Sequence, residues 1–400
     1  VPRYQWELSE VVEEMRNPSN DRNYVEIDLS SIRRNLRSVR RLIGTDCKLM
    51  SVLKGNGYGH GASCLLPACE SESNWYGVAT LGEALELREA GTKKPILVFG
   101  WIPPYDVWRV AESEIVLNVY SLAYAREIDR ASREARIKLA VHIEIDTGLG
   151  RTGLRCLTNE EADSVLQSYK TIMRLDRLKV QGIYTHFSSC DSDKIADVTY
   201  TKQQHDLFEY ICGVLRQNGH NPGICHCLNS VGIEKYHSAW KHDMVRAGRM
   251  IYGIGMEEDL LKRYDLHPAL SWFSRVVDIK VIHAGGYVGY DREFRAEKDM
   301  RIAILAVGYG DGYKQIYSNK TYVVIAGRKA PSVGKISMDS MAVDVTDIPD
   351  VHVNDWALLL GKGNGSFIPT TVFTQLGGTN SEVLLSLTSR VRRYYVDLDP

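Results

Sequence analysis

No charge of one sign predominates in this sequence. Its 400 residues carry 49 lysines and arginines against 50 aspartates and glutamates, a formal net charge of -1. That balance provides no basic face for nucleic acid and no attraction for a polyanionic substrate. Long apolar runs are missing too: none approaches the ~18 residues of a membrane span, and no secretory signal pattern is present. The eight cysteines fall at irregular spacings, with only Cys225 and Cys227 close together. Such usage fits reduced thiols in a cytoplasmic enzyme better than a disulfide framework. Cys225-His226-Cys227 offers metal-ligand side chains, but it lies in a strand-like run, so these are expected to be core residues and no metal site is expected. Segment 361–365 is glycine-rich yet lacks the spacing and trailing Lys-Ser/Thr of a phosphate loop, and reads as a surface hairpin.

The chain starts at Val1 rather than Met and continues through a polar, charged stretch to Asp21. A processed chain and a fragment of a longer, membrane-tethered protein both remain open. A length of 400 residues makes two domains the default. The expected division is an N-terminal extension over 1–22, a first domain over 23–262 and a second over 263–400.

Between about residues 48 and 250, strand-like apolar runs alternate with amphipathic stretches. The runs are 48–54, 75–79, 95–100, 115–120, 138–146, 178–187, 224–229 and 244–249; the clearest helices are 81–90, 123–135, 160–175 and 202–217. Eight such units in 200 residues predict a (β/α)8 barrel, an α/β architecture, with an open doubly wound sheet as the alternative. A ninth run, 24–29, precedes the eight and is expected to pair with the second domain. Beyond about 262 the texture changes. Turn signals at 284–286, 308–312 and 361–365 punctuate β-branched runs, which predicts a mainly antiparallel β domain.

The first barrel run, Leu49-Met50-Ser51-Val52-Leu53, ends at Lys54-Gly55-Asn56-Gly57-Tyr58-Gly59-His60-Gly61. A lone lysine at a strand terminus is ordinarily a solvated one. Here the dense glycines around an Asn and a Tyr suggest an amine held on a rigid element, as an imine-forming lysine must be. Barrel sites lie at the C-terminal strand ends, with phosphate favoured after strands seven and eight. Strand ends in order supply Lys54, Arg151, His186, Asn229-Ser230 and Arg246-Ala247-Gly248. Ser230 and Gly248 place a hydroxyl and a backbone N–H at the two phosphate positions. A lysine opposite a phosphate cradle points to pyridoxal 5'-phosphate.

The chain resembles the alanine racemase family, the barrel-type pyridoxal-phosphate enzymes. Matching stretches run from Asn23 to Val396: KGNGYGHG at 54–61, EIDTGLGRTGL at 144–154, YTHFSSCD at 184–191, LNS at 228–230, DMVRAGRMIYG at 243–253, VGYD at 288–291, VGYGDGY at 307–313 and VGKISMDSM at 333–341. The resemblance implies that Lys54 holds the cofactor and handles the α-proton on one face, while Tyr290 is the second base on the other. A phenol with an unperturbed pKa of ~10 is a poor base at neutral pH, so a cationic setting involving His186 and Arg246 is expected to assist it. Arg246 corresponds to the arginine facing the pyridine nitrogen, and His186 to the histidine packed near the ring. Tyr58, Asn229, Ser230, Gly248 and Arg249 correspond to the remaining cofactor contacts. Arg151, Met338, Asp339 and Tyr309 correspond to the substrate side. Because family members complete each site with second-domain residues of a partner subunit, a head-to-tail homodimer acting on a small amino acid is expected.

Two positions depart from the family pattern. Where many relatives carry a carbamylated lysine, this chain has Glu144, already an anion able to orient Arg151. Where alanine racemases usually have a tyrosine, it has Ser381. Relatives that racemise serine, including racemases of vancomycin-resistance systems, also carry a small polar residue there. The implied activity is therefore on alanine, serine or both, with a larger amino acid as an alternative. A barrel-type pyridoxal-phosphate decarboxylase would not need Tyr290. A non-catalytic barrel that only binds the cofactor would lack the β domain.

Overall fold

The computed structural model describes residues 20–255, 258–363 and 365–397, so most of the expected N-terminal extension, residues 1–19, lies outside the described residues. Two compact units are present, one built from residues 36–57 and 62–251, the other from the described residues up to 35, 58–61 and 252 onward.

Strand β1 (Asn23–Asp28) belongs to the second of these units. The first unit begins its sheet with β2 (Lys48–Val52), β3 (Trp75–Val78), β4 (Ile96–Val98), β5 (Ile115–Val119) and β6 (Leu139–Asp146). It continues with the short β7 (Leu154–Arg155), β8 (Leu178–Tyr184), β9 (Ile224–His226) and β10 (Met244–Ala247). Eight of these run parallel in the order β10-β2-β3-β4-β5-β6-β8-β9, with β7 attached to β6. The Asp243 N–H donates to the Cys225 carbonyl at 3.2 Å and the Arg246 N–H to that of Leu228 at 3.0 Å. These bonds join the two ends of the sheet and make it the (β/α)8 barrel read from the eight apolar runs. Leu49, Met50, Tyr76, Val78, Ile96, Val98, Val141 and Ile143 are fully buried. Strands covered on both faces are continuous apolar runs for this reason.

The helices start where the sequence supplies caps. Thr80 and Glu83 form a reciprocal capping box on Leu81–Glu89, and the Ser121 hydroxyl accepts from the Tyr124 N–H at the head of Leu122–Glu134. The helix expected over 202–217 extends over Ile195–Gln217. Its first turns leave Ile195, Val198 and Tyr200 exposed. With no apolar stripe there, hydrophobic periodicity could not reveal those turns.

In the other unit, nine strands form one sheet in the order β19-β18-β15-β16-β17-β14-β11-β1-β20. They are β1 with β11 (Leu270–Ile282), β14 (Met300–Leu305), β15 (Tyr322–Ile325), β16 (Arg328–Val333), β17 (Met341–Asp344), β18 (Trp356–Gly363), β19 (Ser366–Ile368) and β20 (Arg392–Val396). A small ribbon, β12 (Tyr287–Val288) and β13 (Phe294–Arg295), stands apart. All pairings are antiparallel except that of β1 with β20. β1 runs antiparallel to β11 from Asn23↔Ser274 to Ile27↔Leu270. Tyr24 fixes it there, packing against the rings of Phe273, Trp356 and Tyr394 at centroid distances of 5.2, 4.9 and 5.5 Å. Gly363 pairs with Ser366 across the β18–β19 hairpin. No helix among the described residues is long and apolar enough to cross a membrane.

One glycine marks a close strand approach in the barrel. A Cβ at Gly182 on β8 would lie 2.5 Å from the Ile224 carbonyl oxygen and 2.7 Å from the His142 ring. Gly182→Ala should cost about 1–3 kcal/mol of stability through overpacking. A thermal melt will show this as a lowered midpoint, and an unchanged midpoint would contradict the packing described here.

Candidate active site

Lys54, two residues past the end of β2, opens a left-handed turn, with Gly55, Asn56 and Gly57 at φ values of 63°, 50° and 61°. Glycine adopts that conformation without penalty, and Asn tolerates it better than most residues. The Asn56 side-chain oxygen accepts from the Ala62 N–H at 2.9 Å, anchoring the turn to the next helix. Glu83 braces it from another side, accepting from the Gly55 N–H at 2.6 Å through one oxygen and from the Ala79 N–H at 2.8 Å through the other. The amine itself is largely desolvated. Burial, then the charges of Arg151 and Arg246, lower its pKa against the opposing pull of Glu83.

Arg246, on β10, is the electrostatic centre of the barrel mouth. One terminal nitrogen donates to His226 Nδ1 at 2.9 Å and to the His226 carbonyl at 3.1 Å. The other donates to the carbonyls of Thr185 and Cys227 and to His186 Nδ1, at 2.9, 3.1 and 3.1 Å. An arginine can only donate, so both histidines must present a lone pair at Nδ1 and carry hydrogen at Nε2. His226 Nε2 then donates to His142 Nδ1 at 2.9 Å. Burial first, and Arg246 second, hold all three imidazoles neutral: His142 is lowered to about 3, and His186 and His226 fall well below their ordinary value. The Tyr184 ring stacks on His226 at 4.9 Å, and the Arg246 guanidinium lies 5.3 Å from its centre. His186 is therefore not the cation expected from the sequence. Burial disfavours its charged form, and Arg246, Arg151 and Lys54 all repel a further positive charge.

Glu144, near the end of β6, is buried, whereas the Arg151 side chain is 60% exposed, with the closest approach of the pair at 3.9 Å. One Glu144 oxygen accepts from Asn118 Nδ2 at 2.9 Å and from the Thr152 hydroxyl at 2.8 Å. These bonds satisfy the buried carboxylate and leave its other oxygen directed at Arg151. After β9, Asn229 caps the helix Ser230–Trp240 by accepting from the Gly232 N–H. The Ser230 hydroxyl accepts from the N–H groups of Gly248 at 2.9 Å and Met250 at 3.3 Å. The Gly248 N–H, read from sequence as open, thus has an internal partner, and Ser230 ties the two phosphate-position loops together. Arg249 begins the next short helix, its side chain 4.0 Å from Asp191.

The remaining residues singled out from the sequence lie in the other unit. Tyr58 has a φ of 52° and packs against Tyr252 at a centroid distance of 5.1 Å. Ser381 sits in the first turn of the helix Asn380–Leu385. The end of that helix adjoins the residue after Tyr58: a Cβ at Gly59 would lie 2.5 Å from the Leu384 carbonyl oxygen. Three motif loops also converge. The Tyr309 and Gly310 N–H groups donate to the carbonyls of Ser337 and Met338, and Lys335 bonds Asp291, next to Tyr290. Tyr290, Tyr309 and Met338 are exposed on these loops, Tyr290 at 63%. Asp339 pairs with Arg390 at 2.5 Å. Asp311, fully buried, accepts from Arg22, lies 3.4 Å from Arg390 and accepts from the Gly308 N–H.

The two units match two family models in chain order: residues 27–255 match "Alanine racemase, N-terminal domain" and residues 269–395 match "Alanine racemase, C-terminal domain". The chain belongs to the alanine racemase family. It is 33% identical over 374 residues to alanine racemase 1 of Caldanaerobacter subterraneus subsp. tengcongensis, covering 93% of this chain and 94% of that protein. The solved alanine racemase of Clostridium difficile 630 superposes with a TM-score of 0.84 at 29% identity, covering 94% of this chain and 96% of the other. The alanine racemase of Bacillus anthracis with bound L-Ala-P superposes with a TM-score of 0.83 at 28% identity, covering 94% and 95%.

Several residues of this alanine racemase family member escaped the motif reading: Glu83, Asn118, Thr152, His142 and His226 in the barrel, and Arg22, Asp311 and Arg390 elsewhere. Thr152 and Asp311 lay inside quoted motif stretches and His226 inside Cys225-His226-Cys227 without a role being read for them, and Glu83 had a local signal, its place three residues after Thr80 in a capping box. The depressed pKa of Lys54 has a direct chemical consequence. A larger fraction of its amine is neutral at pH 7.5 than for a solvated lysine, so in cofactor-free protein it should acylate several-fold faster. Peptide mapping after limited labelling across a pH series should show Lys54 reaching its plateau at lower pH than the surface lysines. Coincident profiles would contradict its desolvation.

Proposed function

We propose that this chain is a pyridoxal-phosphate-dependent racemase interconverting L- and D-alanine, and also L- and D-serine, with Lys54 and Tyr290 as its two proton-handling groups. The observation that carries this reading is the desolvated amine of Lys54 among Arg151, Arg246 and the neutral His186 at the strand ends. The donor set fits the cofactor. The hydrogen bonds of Arg246 use its two terminal nitrogens, which leaves Nε–H as the donor for a pyridine nitrogen. The helix N-terminus at Ser230, with the proton of the Ser230 hydroxyl and the adjoining backbone of Arg249, suits a phosphate, and the family resemblance adds the Tyr58 hydroxyl. When bound, pyridoxal 5'-phosphate supplies an aldehyde carbon for the amine and a conjugated ring that draws electron density from the substrate α-carbon.

The side chains divide the remaining work. Lys54, once neutral, takes or returns the α-proton on one face. Tyr290 does the reverse on the other face, because inversion requires the proton to return opposite to where it left. Arg246 does not release its proton, so a pyridine nitrogen beside it is disfavoured from gaining one. With that nitrogen unprotonated, a bound cofactor would withdraw electrons only weakly, so that Lys54 or Tyr290 would return the proton to the α-carbon quickly and transamination would be limited. The guanidinium of Arg151, steered by Glu144, receives the substrate carboxylate together with the Met338 backbone, with Asp339 and Tyr309 alongside. The exposure of Tyr290, Tyr309 and Met338 suits residues delivered to a partner's barrel in a head-to-tail homodimer. Ser381, small and polar where the family usually places a tyrosine, leaves room and a hydrogen-bonding group for a serine side chain.

Single enantiomers of a panel of amino acids, incubated with the holoenzyme in deuterated water, should lose optical rotation and gain α-deuterium for both alanine and serine, at rates within about tenfold of each other. Tyr290→Phe should retain α-deuterium exchange from one enantiomer while losing most racemisation. A large preference for alanine would remove serine from the assignment, and release of carbon dioxide without racemisation would overturn it. Separately, Glu144→Gln should raise KM for the amino acid roughly tenfold through loss of the charge facing Arg151, with little change in cofactor affinity. Equal losses of both affinities would count against a steering role for Glu144.

A further inference from the structure

Three ligand-type side chains meet on the barrel at the opposite strand ends from Lys54. His205 and Glu209 lie four residues apart on the helix Ile195–Gln217, hence on one face, and His242 stands in the turn just before β10. β10 runs parallel to β2 with Met244 opposite Lys48, so His242 is at the N-terminal side of the strands and Lys54 at the C-terminal side. One ligand atom from each of the three residues lies within 4.8 Å of the other two. We propose that His205, Glu209 and His242 bind a zinc-class divalent cation, which ties this outer helix to the turn that leads into the barrel-closing strand.

The geometry suits such an ion. Ligands at 2.0–2.1 Å in a tetrahedral shell stand about 3.3 Å from one another. Glu209 Oε1 lies 3.2 Å from His242 Nε2 and 3.9 Å from His205 Nε2. The His242 nitrogen nevertheless makes no hydrogen bond, since the carboxylate oxygen is off its N–H direction, as it must be when a cation sits between the two. His205 is the stronger sign. Its side chain is only 9% exposed, and neither ring nitrogen has a hydrogen-bond partner. Asp206 at 3.5 Å from Nδ1 and Glu209 at 3.9 Å from Nε2 compensate only in part for the hydration that the buried imidazole loses. Stacking on Trp240, at 4.2 Å and 13°, fixes the ring with Nε2 toward Glu209.

The electrostatics agree. Burial holds both imidazoles below their ordinary pKa, which keeps a lone pair available for coordination. Asp206 lies 3.5 Å from His205 Nδ1, the second-shell place from which a carboxylate orients a ligating ring. Arg216 opposes a cation near His242, but Glu209 and Asp243 act on the same ring with the opposite sign. Glu209 is half-exposed, which provides an entry path and a fourth position for water. None of the proposed catalytic residues lies on this side of the strands, so the ion would serve as a clamp on the fold rather than in the reaction. No cysteine is part of the set, and Cys225-His226-Cys227 remains in the core.

The test is metal titration of the holoenzyme, after treatment with a chelator, using Co2+ for its spectrum and Zn2+ for stability, alongside Glu209→Gln and His242→Gln. The wild type should bind one equivalent more than either variant and show a Co2+ spectrum without a thiolate charge-transfer band. Each variant should bind at that site at least tenfold more weakly. Zn2+ should raise the thermal midpoint of the wild type and leave both variants unmoved, while metal-free racemase activity is the same in all three. Equal stoichiometry and affinity in the three proteins, binding of neither metal by the wild type, or a thiolate band would each overturn the proposal. Because the readouts are metal binding and melting, a failed racemase assay would leave this test intact.

Discussion

A guanidinium held in the barrel wall among neutral acceptors sets the terms for the rest of the site. Arg246 has no carboxylate within ion-pair reach among the described residues, and three backbone carbonyls and two imidazoles take its hydrogens. A buried charge is tolerable only when every donor finds a partner. The ends of β8 and β9 therefore present carbonyls inward at Thr185, His226 and Cys227, and the histidines settle in the tautomer that can accept. Burial first, and this charge second, keep His186, His226 and His142 neutral, while burial, then Arg151 and to a lesser extent Arg246, lower the pKa of Lys54. A mouth rich in positive charge attracts anions, which suits both a phosphate and a substrate carboxylate.

Glu144 moderates that field without quenching it. With Asn118 and Thr152 on one oxygen, its charge is held near Arg151 and away from Arg246. The other unit is organised on a different principle. Buried Asp311 gathers Arg22 and Arg390, and Arg390 holds Asp339, so the loops carrying Tyr309 and Met338 are braced from within while their side chains stay exposed.

What could be read in advance follows the range of the interactions involved. The eight barrel strands were visible because each is a local apolar run, and the helices over 81–90 and 123–135 because each has an amphipathic pattern of its own. Lys54 and Arg246 could be located by their places at strand ends. The start of the helix at Ile195 was not visible, since its first turns bury no apolar face. The imidazole relay was hidden for another reason: His142 and His226 are 84 residues apart, and Arg22 and Asp311 are 289 apart. No local pattern announces a pair of that kind.

By itself the sequence determined the order of strands and helices, the change from parallel barrel to antiparallel sheet, and the residues of the motif loops. Each of these depends on side-chain size, polarity and turn chemistry over a few neighbouring positions. Only the tertiary structure decided which groups are charged. His186 is neutral and Lys54 is depressed because folding removes water from them and sets Arg246 beside them. The His205, Glu209 and His242 cluster likewise exists only once a helix and a distant turn are packed together. Desolvation and contact between distant residues are properties of the folded chain, and the protonation state of the site follows from them.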